Sequence, residues 1–214
     1  MVAQADRTAV RSGQAPAATR RRGDTLEHAI YDAAISQLRS EGYGGLTMEG
    51  IAACAHTGKA ALYRRWPCKE DLIVEAIGRA LPPLPVLPDH GNLRDDLLDL
   101  LRQMTVMVNS SAACALQCLL SEVDRDPRFS RLVHERVLAP RKRVFLEALE
   151  RAAERGQARP EAVNQLVADV GPALVVQRFL AEGRPIPDDY LVSVVDDIVM
   201  PVLRPSAGSP PSAG

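Results

Sequence analysis

The chain has 214 residues, 46% of them hydrophobic and 25% charged, with a formal net charge of −1. That is ordinary globular composition, enough for one large domain or a small one joined to a larger one. It excludes a strongly basic global field, and the sequence holds no apolar run near the roughly 20 residues of a membrane span and no apolar signal-peptide core.

Four Cys without a secretory signal point to a reducing cytoplasm, where a disulfide framework is not expected. Divided at Leu81, the first part holds 11 Lys/Arg against 9 Asp/Glu and the rest 15 against 18. Charge is concentrated locally at Arg20-Arg21-Arg22 and Arg64-Arg65, and phosphate binding depends on such concentration rather than on the total.

Residues 1–19 have no apolar period and read as a disordered tail. Arg20, Arg21 and Arg22 follow as a basic clamp, either a solvated charge run or an arm that touches phosphates. Asp24 or Thr25 can cap a first helix, in which Leu26, Ile30, Ala33, Ala34 and Leu38 share one face. Gly42 suits its left-handed stop. Thr47 caps a second, short helix, with Leu46 and Ile51 as its hydrophobic staple. The turn His56-Thr57-Gly58 leads to a third helix from Lys59 to Trp66. There Leu62 and Trp66 face the core, while Lys59, Ala60, Tyr63 and Arg64 project outward. Pro67 stops it, and a fourth helix starts at Cys68, with Leu72, Ile73, Ala76, Ile77 and Leu81 as its stripe.

Pro82-Pro83-Leu84-Pro85 marks a boundary between a smaller domain, 20–81, and a larger domain, 82–204. Helical periods then cover about Leu93 to Val108, Ala112 to Asp124, Pro127 to Leu138 continuing through Lys142 to Arg155, Glu161 to Ala181 and Asp188 to Leu203. Residues 205–214 read as a second disordered tail. No strand-like alternation and no repeat is visible. The fold class is all-α, with about nine helices.

Helix, tight turn and a second helix dense in Lys, Arg and Tyr are the layout of a helix-turn-helix reader, whose second helix enters the major groove. Thr47-Met48-Glu49-Gly50-Ile51-Ala52, followed by Lys59 through Leu72 (KAALYRRWPCKEDL), closely resembles the DNA-binding domain of TetR-type transcriptional repressors. Residues Ser121 to Pro127 and the Gly183-Arg184-Pro185-Ile186 loop resemble the ligand-binding and dimerisation half of many actinobacterial members. The resemblance spans about Arg20 to Leu203. It implies a homodimer that represses a promoter at a palindromic operator and leaves the double-stranded DNA when a small molecule enters the C-terminal domain. Carried over by position, Thr47, Lys59, Ala60, Tyr63, Arg64 and Lys69 fall where the family contacts DNA. His56 stands where the family usually has Gly, Gly58 and Cys68 where it has capping Ser, and Arg65 where an aromatic is common.

The effector pocket is expected inside the C-terminal helices, where the faces of Met104, Met107, Val108, Cys114, Cys118, Phe145, Leu149 and Gln177 can converge. The last two helices are the expected dimer seam, through Val167, Val170, Leu174, Leu191, Val194, Val195, Ile198 and Val202, as a four-helix bundle on a two-fold axis. The plain alternative for each of these residues is intramolecular core. Cys114 and Cys118, four apart, read as small buried thiols rather than as a metal or redox pair, since no further ligand follows at zinc spacing. Cys68, at a helix N-terminus, is the better candidate for a lowered thiol pKa. Neither a nucleotide-binding glycine loop nor a nucleophile–base arrangement can be argued. A helical enzyme and a DNA-binding protein without a ligand are the competing function classes, and no cofactor or metal is expected.

Overall fold

The computed structural model describes residues 17–120 and 126–204, with side chains from residue 23 onward. Both proposed tails, apart from residues 17–19, lie outside the described residues, as do residues 121–125 of the Ser121–Pro127 motif. Among the described residues the fold is all-helical, without strands.

Helix α1 (Ala17–Gly45) starts earlier than a cap at Asp24 or Thr25 would set it, and residues 17–19 belong to it rather than to a disordered tail. Ala, Thr and Arg before Gly23 include no helix breaker. Gly42, at φ 69°, interrupts the helix where the left-handed stop is expected. Ile30, Ala33, Ala34 and Leu38 form its buried face.

Helix α2 (Met48–Cys54) is capped by Thr47, whose hydroxyl accepts from Gly50 N at 3.0 Å, and Leu46 and Ile51 are both fully buried. Helix α3 (Lys59–Tyr63) is shorter than expected. Arg65 N bonds Leu62 O at 2.9 Å, tightening the end, and Pro67 disfavours helical backbone at Trp66. Helix α4 (Lys69–Ala80) follows, with Leu72, Ile73, Ala76 and Ile77 inward.

The segment 82–92 is extended. Its Val86 is held at both backbone atoms by Gln103: N to Oε1 at 2.8 Å and O from Nε2 at 3.0 Å. Then come α5 (Leu93–Val108), α6 (Ser111–Leu120), α7 (Pro127–Val133) and α8 (Ala139–Glu154). A π turn, His134–Leu138, joins the last two into one rod. Helix α9 (Gln165–Glu182) starts later than Glu161, because Pro160–Ala162 forms a 3₁₀ turn and Asn164 caps the helix by accepting from Val167 N at 3.1 Å. The final rod is α10 (Asp188–Ser193), a π turn (Val194–Val199) and α11 (Met200–Leu203).

Two apolar cores result. The first holds the inner faces of α1–α4 and continues into α6, α7 and the first π turn through Leu116, Leu119, Phe129, Val133 and Val137. The second joins α5, α8, α9 and the final rod, and Met107 packs against both. The first core therefore crosses the Pro-rich run, with α6 and α7 packed against the four N-terminal helices. None of the described helices is long and apolar enough to cross a membrane.

Candidate nucleic-acid interface and cleft

The turn between α2 and α3 sets the angle of the reading helix. His56 takes φ 51°, the left-handed conformation that Gly adopts without strain. Thr57 N bonds Ala52 O at 2.9 Å and His56 N bonds Ala53 O at 3.1 Å, which satisfies the last carbonyls of α2 as a Schellman turn. Gly58 begins α3 without a side-chain cap.

Leu62 and Trp66 anchor α3 inward, at 0% and 3% exposure, and Lys59, Ala60, Tyr63 and Arg64 are exposed. Behind them Trp66 Nε1 donates to Glu75 Oε2 at 2.9 Å and Tyr31 Oη to Glu75 Oε1 at 2.7 Å. Burial raises the Glu75 carboxyl, but the Tyr31 and Trp66 donors and nearby Arg79 outweigh it, leaving it below its ordinary value.

The predicted contact residues do not all stand free. Lys59 pairs with Glu49 across the turn and lies 5.6 Å from the Tyr63 ring. Lys69 turns inward: Nζ donates to Leu46 O at 3.0 Å and Tyr43 O at 3.3 Å, over the Tyr43 ring. Thr47 is exposed, but its hydroxyl is engaged in the cap. Arg65 pairs with Glu27. Arg20, Arg21 and Arg22 fall on the backbone of α1, and their side chains lie outside the described residues. The Lys59–Glu49 pair was missed in the sequence, although ten-residue spacing across a tight turn could have suggested it.

Cys68 precedes α4, but its thiol donates to Asp71 Oδ2 at 3.1 Å, and burial pushes it up to about 11. The expected lowering by the helix N-terminus is therefore overturned: desolvation and neighbouring carboxylates disfavour the thiolate.

In the C-terminal part a cleft of about 920 Å³ opens between α5, α6, α8 and α9, walled on one side by Pro82–Val86. Met104, Met107, Val108, Phe145 and Gln177 line it. Cys114, Cys118 and Leu149 do not. The two thiols are exposed rather than buried, because α6 turns them away from the core that Ala112, Ala115, Leu116 and Leu119 fill. Leu149 is 1% exposed, packed in the second core. The Pro-rich run, read as a boundary only, also forms a cleft wall. Among the described residues no group of His, Cys, Asp or Glu is placed to hold a metal ion.

The expected dimer residues separate. Leu191, Val194 and Val195 are at most 3% exposed and belong to the intramolecular core, because the final rod turns its 191–194–195–199–203 stripe inward. Val167, Val170 and Leu174 are half-buried on that core. Ile198 and Val202 are exposed, as are Leu166 and Leu180 of α9.

Known proteins match this arrangement. The family model for bacterial regulatory proteins of the tetR family covers residues 30–76, and the tetracyclin repressor-like C-terminal domain covers residues 87–198. An HTH-type transcriptional regulator of Mycobacterium tuberculosis is 33% identical over 171 residues, 80% of this chain and 84% of that one. A protein of Mycobacteroides abscessus described as a DNA-binding transcriptional repressor is 29% identical over 187 residues, 87% of this chain and 98% of that one. A solved TetR family transcription regulator aligns with a TM-score of 0.60 at 28% identity, over 86% of this chain and 98% of that one. A flavonoid-responsive regulator shares the fold at a TM-score of 0.67 and 22% identity, over 86% of this chain and all of the other.

Proposed function

The chain belongs to the TetR family of DNA-binding transcriptional regulators, which are not enzymes, and from that premise we propose that it is a homodimeric repressor released from a palindromic operator by a small molecule. The observation that carries this reading is an exposed α3 face (Lys59, Ala60, Tyr63, Arg64) whose supporting core runs on into α6, which also walls the apolar cleft. The description of the Mycobacteroides abscessus relative as a repressor supports the direction of control.

Residues 20–81 form the reading domain and 82–204 the ligand-binding and dimerisation domain. Ala60 lets α3 approach base edges closely, Tyr63 and Arg64 reach base edges or phosphates, and Thr47 offers a helix start to a phosphate. Lys59 joins them by exchanging Glu49 for DNA. Exposed Leu166, Leu180, Ile198 and Val202 supply the apolar seam, in place of Leu191, Val194 and Val195. The seam holds two α3 helices at half-sites about 34–36 Å apart or a multiple of that. Control is a population shift, and the effector must bind better to the dimer whose heads are wrongly spaced.

Fluorescence anisotropy on the DNA upstream of its own gene tests the reading, with saturable, sequence-dependent binding of two protomers expected. Arg64→Ala should keep the wild-type thermal midpoint, weaken binding roughly tenfold and lower the salt slope by about one unit. Binding that is independent of sequence, or unchanged in Arg64→Ala, would remove α3 from the interface.

A further inference from the structure

The cleft contains one charge that no side chain answers among the described residues. Lys142 Nζ lies 2.7 Å from Asp169 Oδ2, so that pair is neutral, and Asp169 also accepts from Gln165 at 2.8 Å. Arg141, one residue earlier on the same helix, meets no carboxylate among the described residues. Its Nη1 donates to Val137 O at 3.1 Å and its Nη2 to Pro82 O at 2.9 Å, and Nε is buried without a partner. A guanidinium carries five N–H donors and keeps its charge. Two neutral carbonyls leave the charge without a counter-ion among the described residues, at a desolvation cost that a bound anion would offset. Burial alone acts on Arg141, and it weakens the charged form.

The rest of the wall is mostly apolar, with Gln103, Gln117 and Gln177 as its neutral polar members. Met104, Met107, Leu116, Leu138, Phe145 and Pro172 surround about 920 Å³. That shape suits a flexible hydrocarbon, and the two Met side chains adapt to it.

We infer that the cleft binds an aliphatic carboxylic acid, its chain along the Met104–Phe145 wall and its carboxylate on Arg141. This rests on the reading of the cleft as the effector site. A carboxylate matches the planar guanidinium fork better than a compact ammonium or a neutral hydroxyl does. The preference is a difference in affinity between head groups on the same chain, so the apolar contribution cancels in the comparison.

The test is isothermal titration of the full-length protein with decanoate, 1-decanol and decyltrimethylammonium, each below its micellar concentration. Decanoate should bind at least tenfold more tightly than decanol, and the cation more weakly than either. Arg141→Met should abolish the difference between acid and alcohol while leaving decanol affinity within twofold. Arg141→Lys, which keeps the charge, should retain most of it and guards against a folding defect from the lost Pro82 contact. Equal binding of decanoate and decanol to the wild-type protein would overturn the carboxylate assignment and leave the cleft as an apolar site. An unchanged preference in Arg141→Met would overturn it by placing the anion elsewhere. Binding of none of the three would remove the effector site together with the assignment.

Discussion

Around Trp66 the reading half closes its core with rings and bonded carboxylates, whereas around Met104 the other half leaves a cleft open. In the first, Tyr31 and Trp66 pack edge to face with centroids 5.7 Å apart, and both donate to Glu75. Tyr43 stacks on Phe129 of α7 at 4.8 Å and donates to Glu70 at 2.6 Å. In the second, aliphatic side chains and Met dominate the lining of the cleft. The difference teaches how labour is divided. A head that presents α3 at one angle needs directional contacts, and on the proposed function a body that answers to a small molecule is better made of chains that repack at small cost. The Tyr43–Phe129 stack ties α1 to α7, and the Asp71–Arg136 ion pair, 3.2 Å, ties α4 to the π turn that follows α7.

Truncating one large residue in each core should break this comparison or uphold it. Trp66→Ala removes a nearly buried ring and leaves Glu75 short of a donor, so a loss of about 3–5 kcal/mol in urea unfolding is expected. Met104→Ala enlarges a space that is already open and creates no new closed void, so only the transfer cost of about 1–2 kcal/mol remains. Equal losses would show that the body is packed as tightly as the head.

The body has a buried polar anchor in the first turn of α5. Asp96 is fully buried and accepts from His90 N at 2.8 Å, Arg151 at 3.0 Å and Arg155 at 3.1 Å. Burial raises its carboxyl, but those three donors outweigh it and hold the group below its ordinary value. A carboxyl depressed on folding stabilises above its unfolded pKa of about 4, and that contribution is lost as pH falls through the folded value. Glu70 and Glu75 act in the same direction, so urea midpoints should fall steeply between about pH 5 and 3. Asp96→Asn should cost roughly 2–3 kcal/mol at pH 7, since Arg151 and Arg155 keep some contact with water, and should flatten the acid limb. An acid limb as steep as wild type would show that Asp96 does not carry it.

The smallest effect concerns the turn. His56→Gly relieves a left-handed side chain, and the gain, partly offset by a more flexible unfolded chain, should be about 0.5–1 kcal/mol. Differential scanning calorimetry checks it, and a lower midpoint would mean that the imidazole holds the turn by a contact of its own.

Much of the head was legible in the sequence. The Thr47 cap, the Leu46–Ile51 staple and the inward Leu62 and Trp66 are all local, set by spacing and backbone preference within a few residues. Less of the candidate site was. Lys59 and Lys69 looked alike as exposed cations, yet one pairs with Glu49 and the other folds onto Tyr43, because each answers to a neighbour brought close by a turn. The C-terminal helices carry apolar residues on more than one face, so periodicity placed Leu191, Val194 and Val195 at a seam when they fill the protomer's own core.

By itself the sequence determined the helical class, the reading motif and the side of α3 that faces outward, since each depends on short-range periodicity and capping. Only the tertiary structure decided that α6 and α7 pack with the head, that the Pro82–Val86 run walls a cleft and that Arg141 donates there to two backbone carbonyls. Those facts depend on which distant segments meet, and a pattern that repeats every three or four residues carries no record of its partner.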